Sequence, residues 1–295
     1  MQKEVMGSAT SVKPRGINAE LVAWMQFGIV TILVVAVYAE ILIDLAREWW
    51  TRPEASYGIL IPPFALYLAY LKRTETLSLP NRPDTRGLGL VAAACLILLC
   101  GKLASEFFLC RISFTIMLGG LAWTFWGGPR LRSVGFNLGL LTTMVPMPAI
   151  LYNGAAAPLQ LFASKVATDL AQMFGVTVFR DGNVIHLANI SLGVAEACSG
   201  LHSLSALMVA SLVLGFVENL SAFGKLLIFA VSAPLAILVN VCRVTGTAIL
   251  ADARPELAMD YYHAFSSWLV FLMGFGILWL ATKLVFRLSG PAASC

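Results

Sequence analysis

Eight apolar stretches recur along the 295 residues, most of them long enough to cross a bilayer as a helix. A spanning helix needs about 20 mostly apolar residues, and the hydrocarbon core offers its backbone no water to bond. The stretches are roughly 21–45, 57–72, 85–104, 111–128, 132–152, 199–217, 224–250 and 264–287. The second is short and carries Pro62-Pro63, which marks a bend or partial insertion. No polar interval is long enough for a separate soluble domain, so residues 1–295 read as a single membrane domain. Composition agrees, with 59% hydrophobic and 12% charged residues, against about 45–50% and about 25% in soluble domains. The expected fold is an all-α polytopic membrane bundle of about eight transmembrane helices. The first stretch far exceeds the roughly 7–15 residues of a signal-peptide core. It therefore reads as an uncleaved first span, although Val37-Tyr38-Ala39 loosely resembles a cleavage site.

Lysine and arginine orient such a bundle, because short cytoplasmic loops collect them. With the N-terminus inside, twelve of the twenty basic residues fall in inner segments. Among them are Lys72, Arg73, Arg82 and Arg86 in one loop, Arg130 and Arg132 in the next, then Lys225, Lys283 and Arg287. Seven fall outside, and Arg243 lies within the seventh stretch. Eight crossings leave both termini cytoplasmic. The net charge of +4 is small; it is a topological signal and leaves no footprint for nucleic acid.

One connection stands apart. Residues 153–198 form a long outer segment that is amphipathic from Ala157 to Phe174. Leu161, Phe162, Val166, Leu170 and Met173 share one face, and Gln160, Ser164, Lys165, Asp169 and Gln172 fill the other. A charged mid-section fits a helix lying in the interface. Val176–Phe179 and Val184–Leu187 then flank Arg180-Asp181-Gly182-Asn183, a hairpin signal. The expected outer cap is thus an amphipathic helix and a short β-hairpin leading into Cys198.

Six cysteines are present, with no C-x-x-C pair and no Cys/His cluster at zinc-ligand spacing, so neither a metal nor a cofactor is expected. Five of them read as small inert hydrophobes. Cys198 differs by position, since it opens the sixth stretch on the outer side, where a helix N-terminus favours a thiolate. Arg243 lies in the outer third of the seventh stretch, and His263 stands at the start of the eighth. Three successive helices thus bring a cysteine, an arginine and a histidine to one side of the membrane at similar depth. The thiolate is a nucleophile, the guanidinium offers donors to an oxyanion, and the imidazole moves a proton. Each also has an ordinary reading: a packed thiol, an arginine reaching to the interface, a histidine beside Tyr261 and Tyr262. The intramembrane arginine weighs most, because its cost makes it a functional-site candidate by default. Cys198 and His202 are four apart and share a helix face, so His202 is a second candidate base. Ser199 and Ser203 bring hydroxyls to the same turn, which keeps a serine nucleophile open. Glu196 is placed to cap the helix start or orient a basic partner. Pro146 and Pro148 are expected to bend or end the fifth helix and shape a cleft below the cap.

The run Val194-Ala195-Glu196-Ala197-Cys198-Ser199-Gly200-Leu201-His202-Ser203-Leu204 closely resembles the central motif of the exosortase/archaeosortase family. Asn240-Val241-Cys242-Arg243 is similar to that family's N-x-x-R element, and His263 followed by Trp268 resembles its third element. The resemblance covers roughly residues 55–285. It implies a membrane-embedded cysteine protease/transpeptidase of the bacterial cytoplasmic (inner) membrane, with its active site on the periplasmic face. Cys198, Arg243 and His263 would be catalytic, and Asn240 supporting. The implied partners are exported proteins bearing a C-terminal sorting signal of the PEP-CTERM kind: a short Pro-containing motif, a transmembrane helix and a basic tail. A lipid- or polysaccharide-linked acceptor would take the product, and membrane lipid surrounds the enzyme. Position 202 is often arginine in such relatives, and a glycine expected before Trp268 is Ser267 here. The residues by themselves also admit a transporter or anion-binding protein using Arg243, or a purely hydrolytic intramembrane protease.

Overall fold

Glycines and prolines decide where the apolar stretches break. The computed structural model of the chain describes residues 17–188, 190–194, 201–254, 256 and 263–289, with the backbone alone at 17–24, 27, 53, 54, 201, 202 and 263–267. The chain divides into two compact units, residues 1–44 and 45–295. The described part of the first is helical, the greater part of α1 (Ile17–Thr51). The second opens with the last turns of α1 and a 3₁₀ segment, Pro53–Leu60. Then come α2 (Ile61–Leu71), α3 (Arg73–Ser78), α4 (Arg86–Leu103), α5 (Phe107–Thr142) and α6 (Ala149–Met173). Strands β1 (Val178–Asp181), β2 (Val184–Leu187) and β3 (Ser191–Gly193) follow, then α7 (Leu201–Val217), α8 (Ala222–Ala253) and α9 (His263–Ser289). Among the described residues, five helices are long and apolar enough to cross a membrane, and Ala55–Leu71 and Ser203–Val217 are shorter apolar helices.

The longest of the five, α5, is a helical hairpin. At Gly127 the backbone takes φ 79° and ψ 172°, which glycine reaches without steric cost. A Cβ there would overlap the Arg82 carbonyl oxygen. Pro129 follows, and the chain doubles back. Thr142 Oγ1 donates to Thr115 Oγ1 at 3.5 Å across 27 residues, whereas straight helix of that length spans about 40 Å. A side chain at Gly119 would likewise meet Leu138. The first arm packs on α4 through small residues, with Gly87 against Thr124 and the Gly120 carbonyl, the close approach that helices in lipid favour.

Three expectations are corrected here. The sequence places the fifth helix over 132–152, but α5 ends at Thr142 and α6 begins at Ala149. Pro146 and Pro148 remove backbone donors and push the residues before them out of helical conformation. The amphipathic helix expected from Ala157 therefore starts eight residues earlier. Its faces also differ from expectation. Ala163, Ser164, Ala167 and Ala171 are buried, while Leu161, Phe162 and Met173 are exposed. Small side chains let α6 approach α8, and large apolar ones have little to gain by turning away from lipid.

The cap hairpin forms, although its turn residues are Gly182 (φ 60°) and Asn183, because β1 runs on through Asp181. β3 adds a third antiparallel strand that no turn signal announces. Val176, Val178, Ile185 and Val194 form one core with Ala167 and Ala171 of α6 and Val244 and Ala248 of α8. Polar ties fix it: Ser164 Oγ donates to the Gly182 carbonyl at 3.1 Å, and Gln172 Nε2 to that of Val178 at 3.1 Å.

The loops separate between two ends of the second unit as the charge pattern implies. At one end Arg130 donates to the carbonyls of Leu77 and Leu79. There Lys72 and Lys225 lie over the Phe216 ring, and Lys283 pairs with Glu218 at 2.7 Å. At the other, Trp49 Nε1 donates to the Met144 carbonyl at 3.0 Å. The ends of α7 and α9 and the start of α8 share the first. The start of α7, the end of α8 and the start of α9 therefore share the second, with the cap.

Candidate active site

Cys198, Glu196 and Ser199 lie outside the described residues, and at His202 and His263 the backbone alone is described. Arg243 and Asn240 are seen in full. The flanks of Cys198 are also placed: Val194 shares the cap core with Val244, the residue after Arg243, and Leu201 opens α7.

Arg243 is half-buried on α8, and its Nη2 donates to Asn240 Oδ1 at 2.9 Å. Asn240 is 2% exposed. A three-residue spacing puts both on one helix face. The buried amide holds one edge of a planar fork of donors, and the fork's geometry is what a charge-stabilising arginine contributes. Thr247 Oγ1 donates to the Arg243 carbonyl at 2.9 Å, one turn nearer the cap end.

The depth of each position follows from one shared contact. A Cβ at Gly274 of α9 would lie 3.2 Å from Leu207 of α7 and 3.6 Å from Val239 of α8, so these three mark a common level. Counting helical rise from there, the Arg243 backbone stands about 6 Å nearer the cap end, that of His202 about 7.5 Å, and that of His263 about 16 Å. The sequence puts Cys198, Arg243 and His263 at similar depth. Cys198 lies outside the described residues, and for His263 the expectation is corrected, because its backbone stands about 10 Å nearer the cap end than that of Arg243, whereas the backbone at position 202 stands at about the level of Arg243.

A cleft of about 660 Å³ runs beside α7. Pro146 and Pro148 line it as expected, together with Tyr57, Ser205, Leu212 and Phe229. Position 202 falls on the same helix face as Ser205 and Val209, three and seven residues on. Glu48 and Arg52 form part of another wall. Glu48 accepts from Arg52 at 2.8 Å and pairs with Arg111 at 2.6 Å, so one carboxylate serves two guanidiniums. Sequence reasoning missed this triad. Glu48 and Arg52 are spaced as a helical pair, but nothing local ties either to Arg111. Among the described residues no group of three or more His, Cys, Asp or Glu is arranged to hold a metal.

The sequence model of the transmembrane exosortases matches residues 49–280. That span takes in the cap, most of the cleft and every candidate residue. The chain belongs to the transmembrane exosortase family. No curated protein and no solved structure matches it. Exosortases act on exported proteins with C-terminal sorting signals, and this exosortase is an integral membrane protein with that general role. Its matched region begins in the last turn of α1 and ends within α9.

Proposed function

We propose that this exosortase is a cysteine protease/transpeptidase, a single membrane domain over residues 1–295 with eight spans. Both termini are cytoplasmic, in the bacterial inner membrane, and the active face is periplasmic. The Cys198 thiolate attacks the peptide carbonyl preceding the transmembrane helix of a PEP-CTERM-like signal. The oxyanion is stabilised by Arg243, His263 carries the thiol proton to the leaving amine, and a thioester remains. A nucleophile on a lipid- or polysaccharide-linked acceptor, or water, then releases the product and frees the thiol. Glu196 and Ser199 flank the nucleophile as supporting residues.

The observation that carries this reading is the Arg243–Asn240 pair, an intramembrane guanidinium fixed by a buried amide. It stands beside the cap core that contains Val194. Cys198 lies four positions after Val194, a reach of at most about 14 Å. A second assignment of the proton carrier is favoured by a specific observation: position 202 is level with Arg243 and on the cleft face of α7, and so His202 competes with His263.

The test is co-expression with an exported protein ending in such a signal. Cys198→Ala should insert normally and leave the substrate uncleaved, and Cys198→Ser should be nearly as inactive; normal processing by the alanine variant sinks the proposal. His202→Ala and His263→Ala separate the two bases, since loss of a general acid–base residue costs about 10²–10⁴-fold. The mass of the product's new C-terminus tells transfer from hydrolysis.

A further inference from the structure

The end of the bundle away from the cap holds two ammonium groups over one aromatic ring. Phe216, near the end of α7, stacks on Phe136 with centroids 3.8 Å apart and planes 3° from parallel. That stack covers one face of Phe216. Lys72, just past α2, has its Nζ 4.5 Å from the ring centroid, and Lys225, in the first turn of α8, has its Nζ 5.7 Å away. The two nitrogens are therefore within about 10 Å of each other, a range over which like charges in salt still repel. Lys225 is doubly misplaced, because the start of α8 is already the positive end of its dipole. Gly215 lets its stem lie close, since a Cβ there would stand 3.2 Å from Lys225 Cγ.

Among the described residues neither lysine has a carboxylate at ion-pair distance, whereas Lys283 at the same end meets Glu218 at 2.7 Å. One ring face attracts each cation weakly and leaves their mutual repulsion in place. An anion between them removes that repulsion and accepts charge-assisted hydrogen bonds from both. Beside the lysines, Leu71, Phe223 and Leu226 are 53%, 71% and 65% exposed, so the anion's surroundings are apolar on the outer side.

We infer that Lys72 and Lys225, over Phe216, bind the phosphate of an anionic phospholipid, with Leu71, Phe223 and Leu226 against its acyl chains. The site is independent of the Cys198 chemistry. The test uses the full-length protein, delipidated in detergent and titrated with phosphatidylglycerol or phosphatidylcholine, with retained lipid counted by native mass spectrometry. Phosphatidylglycerol should be held in preference. Lys72→Gln and Lys225→Gln should each weaken its retention about fivefold and the pair about 25-fold. Lys→Arg at both positions should restore it, which separates loss of charge from loss of fold. Unchanged retention by the double glutamine variant overturns the inference. An equal loss in Lys283→Gln also overturns it, by reducing the effect to a general positive field. Displacement of the lipid by millimolar inorganic phosphate overturns the lipid assignment.

Discussion

The two ends of the bundle hold charge in different ways. Away from the cap, lysines lie over rings or meet a single carboxylate and stay in reach of water; the Lys283 side chain is 43% exposed. At the cap end Arg52 is likewise exposed, at 62%, but two guanidiniums are drawn inward and held by buried or half-buried partners. The Arg111 side chain is 9% exposed against Glu48 at 15%, and Arg243 is fixed by an amide that is 2% exposed. Water-exposed charge at an interface costs little and anchors the protein. Sunk charge costs several kcal/mol per ion unless its geometry is matched. The cap end therefore carries an expense that anchoring does not require, and the cleft lies there with Val194 and Leu201, the described residues on either side of Cys198.

The largest effect that would break this contrast is on stability. Glu48→Ala leaves Arg111 buried without its carboxylate and should cost about 3–5 kcal/mol, read as a lowered melting temperature in detergent. Adding Arg111→Met should recover most of that loss, because the pair's geometry rather than its presence sets the sign. Next in size is Arg243→Lys, which keeps the charge and loses the planar fork. Processing should fall about 10²-fold, as when one oxyanion donor is removed, with the amount of protein in the membrane unchanged. Full activity in that variant would mean that a point charge suffices, and the Asn240 bond would lose its functional reading.

Much of this contrast is legible in the sequence, and the rest is hidden for identifiable reasons. The helical class follows from apolar length, and the Lys/Arg placement groups Lys72, Lys225 and Lys283 in the loops that the structure gathers at one end. The reversal at Gly127 is readable because Gly127-Gly128-Pro129 interrupts two apolar runs. The break at 143–148 is readable only in part: Pro146 and Pro148 signal it, but the apolar residues around them prolong the pattern to 152. The faces of α6 mislead because the soluble-protein rule inverts in lipid, where Ala163, Ala167 and Ala171 pack and Leu161 and Phe162 face out. The Glu48–Arg111 pair joins residues far apart in the chain, and no local spacing predicts it. The N-x-x-R element at Asn240 and Arg243 is legible as a pattern, and its three-residue spacing has a plain physical use in the hydrogen bond that the structure shows.

Two smaller effects sharpen the comparison from opposite sides. Asn240→Ala leaves the guanidinium charged but unheld by its amide. Turnover should fall about tenfold with little change in KM, the signature of an interaction that matters mainly in the transition state, and Asn240→Asp should restore part of it by accepting the same hydrogen bond. At the other end, Lys283→Gln removes an ion pair of similar length, 2.7 Å. Because that lysine is 43% exposed, water screens the pair and replaces it when it breaks, so stability should change by less than about 1 kcal/mol. Bond length is thus nearly the same at Glu48–Arg111 and Glu218–Lys283, and the main difference is the burial of the cation, 9% exposed against 43%. If Lys283→Gln destabilised the protein as much as Glu48→Ala, burial would not be the variable that separates the two ends, and the case for a working site at the cap end would rest on the sequence motif alone.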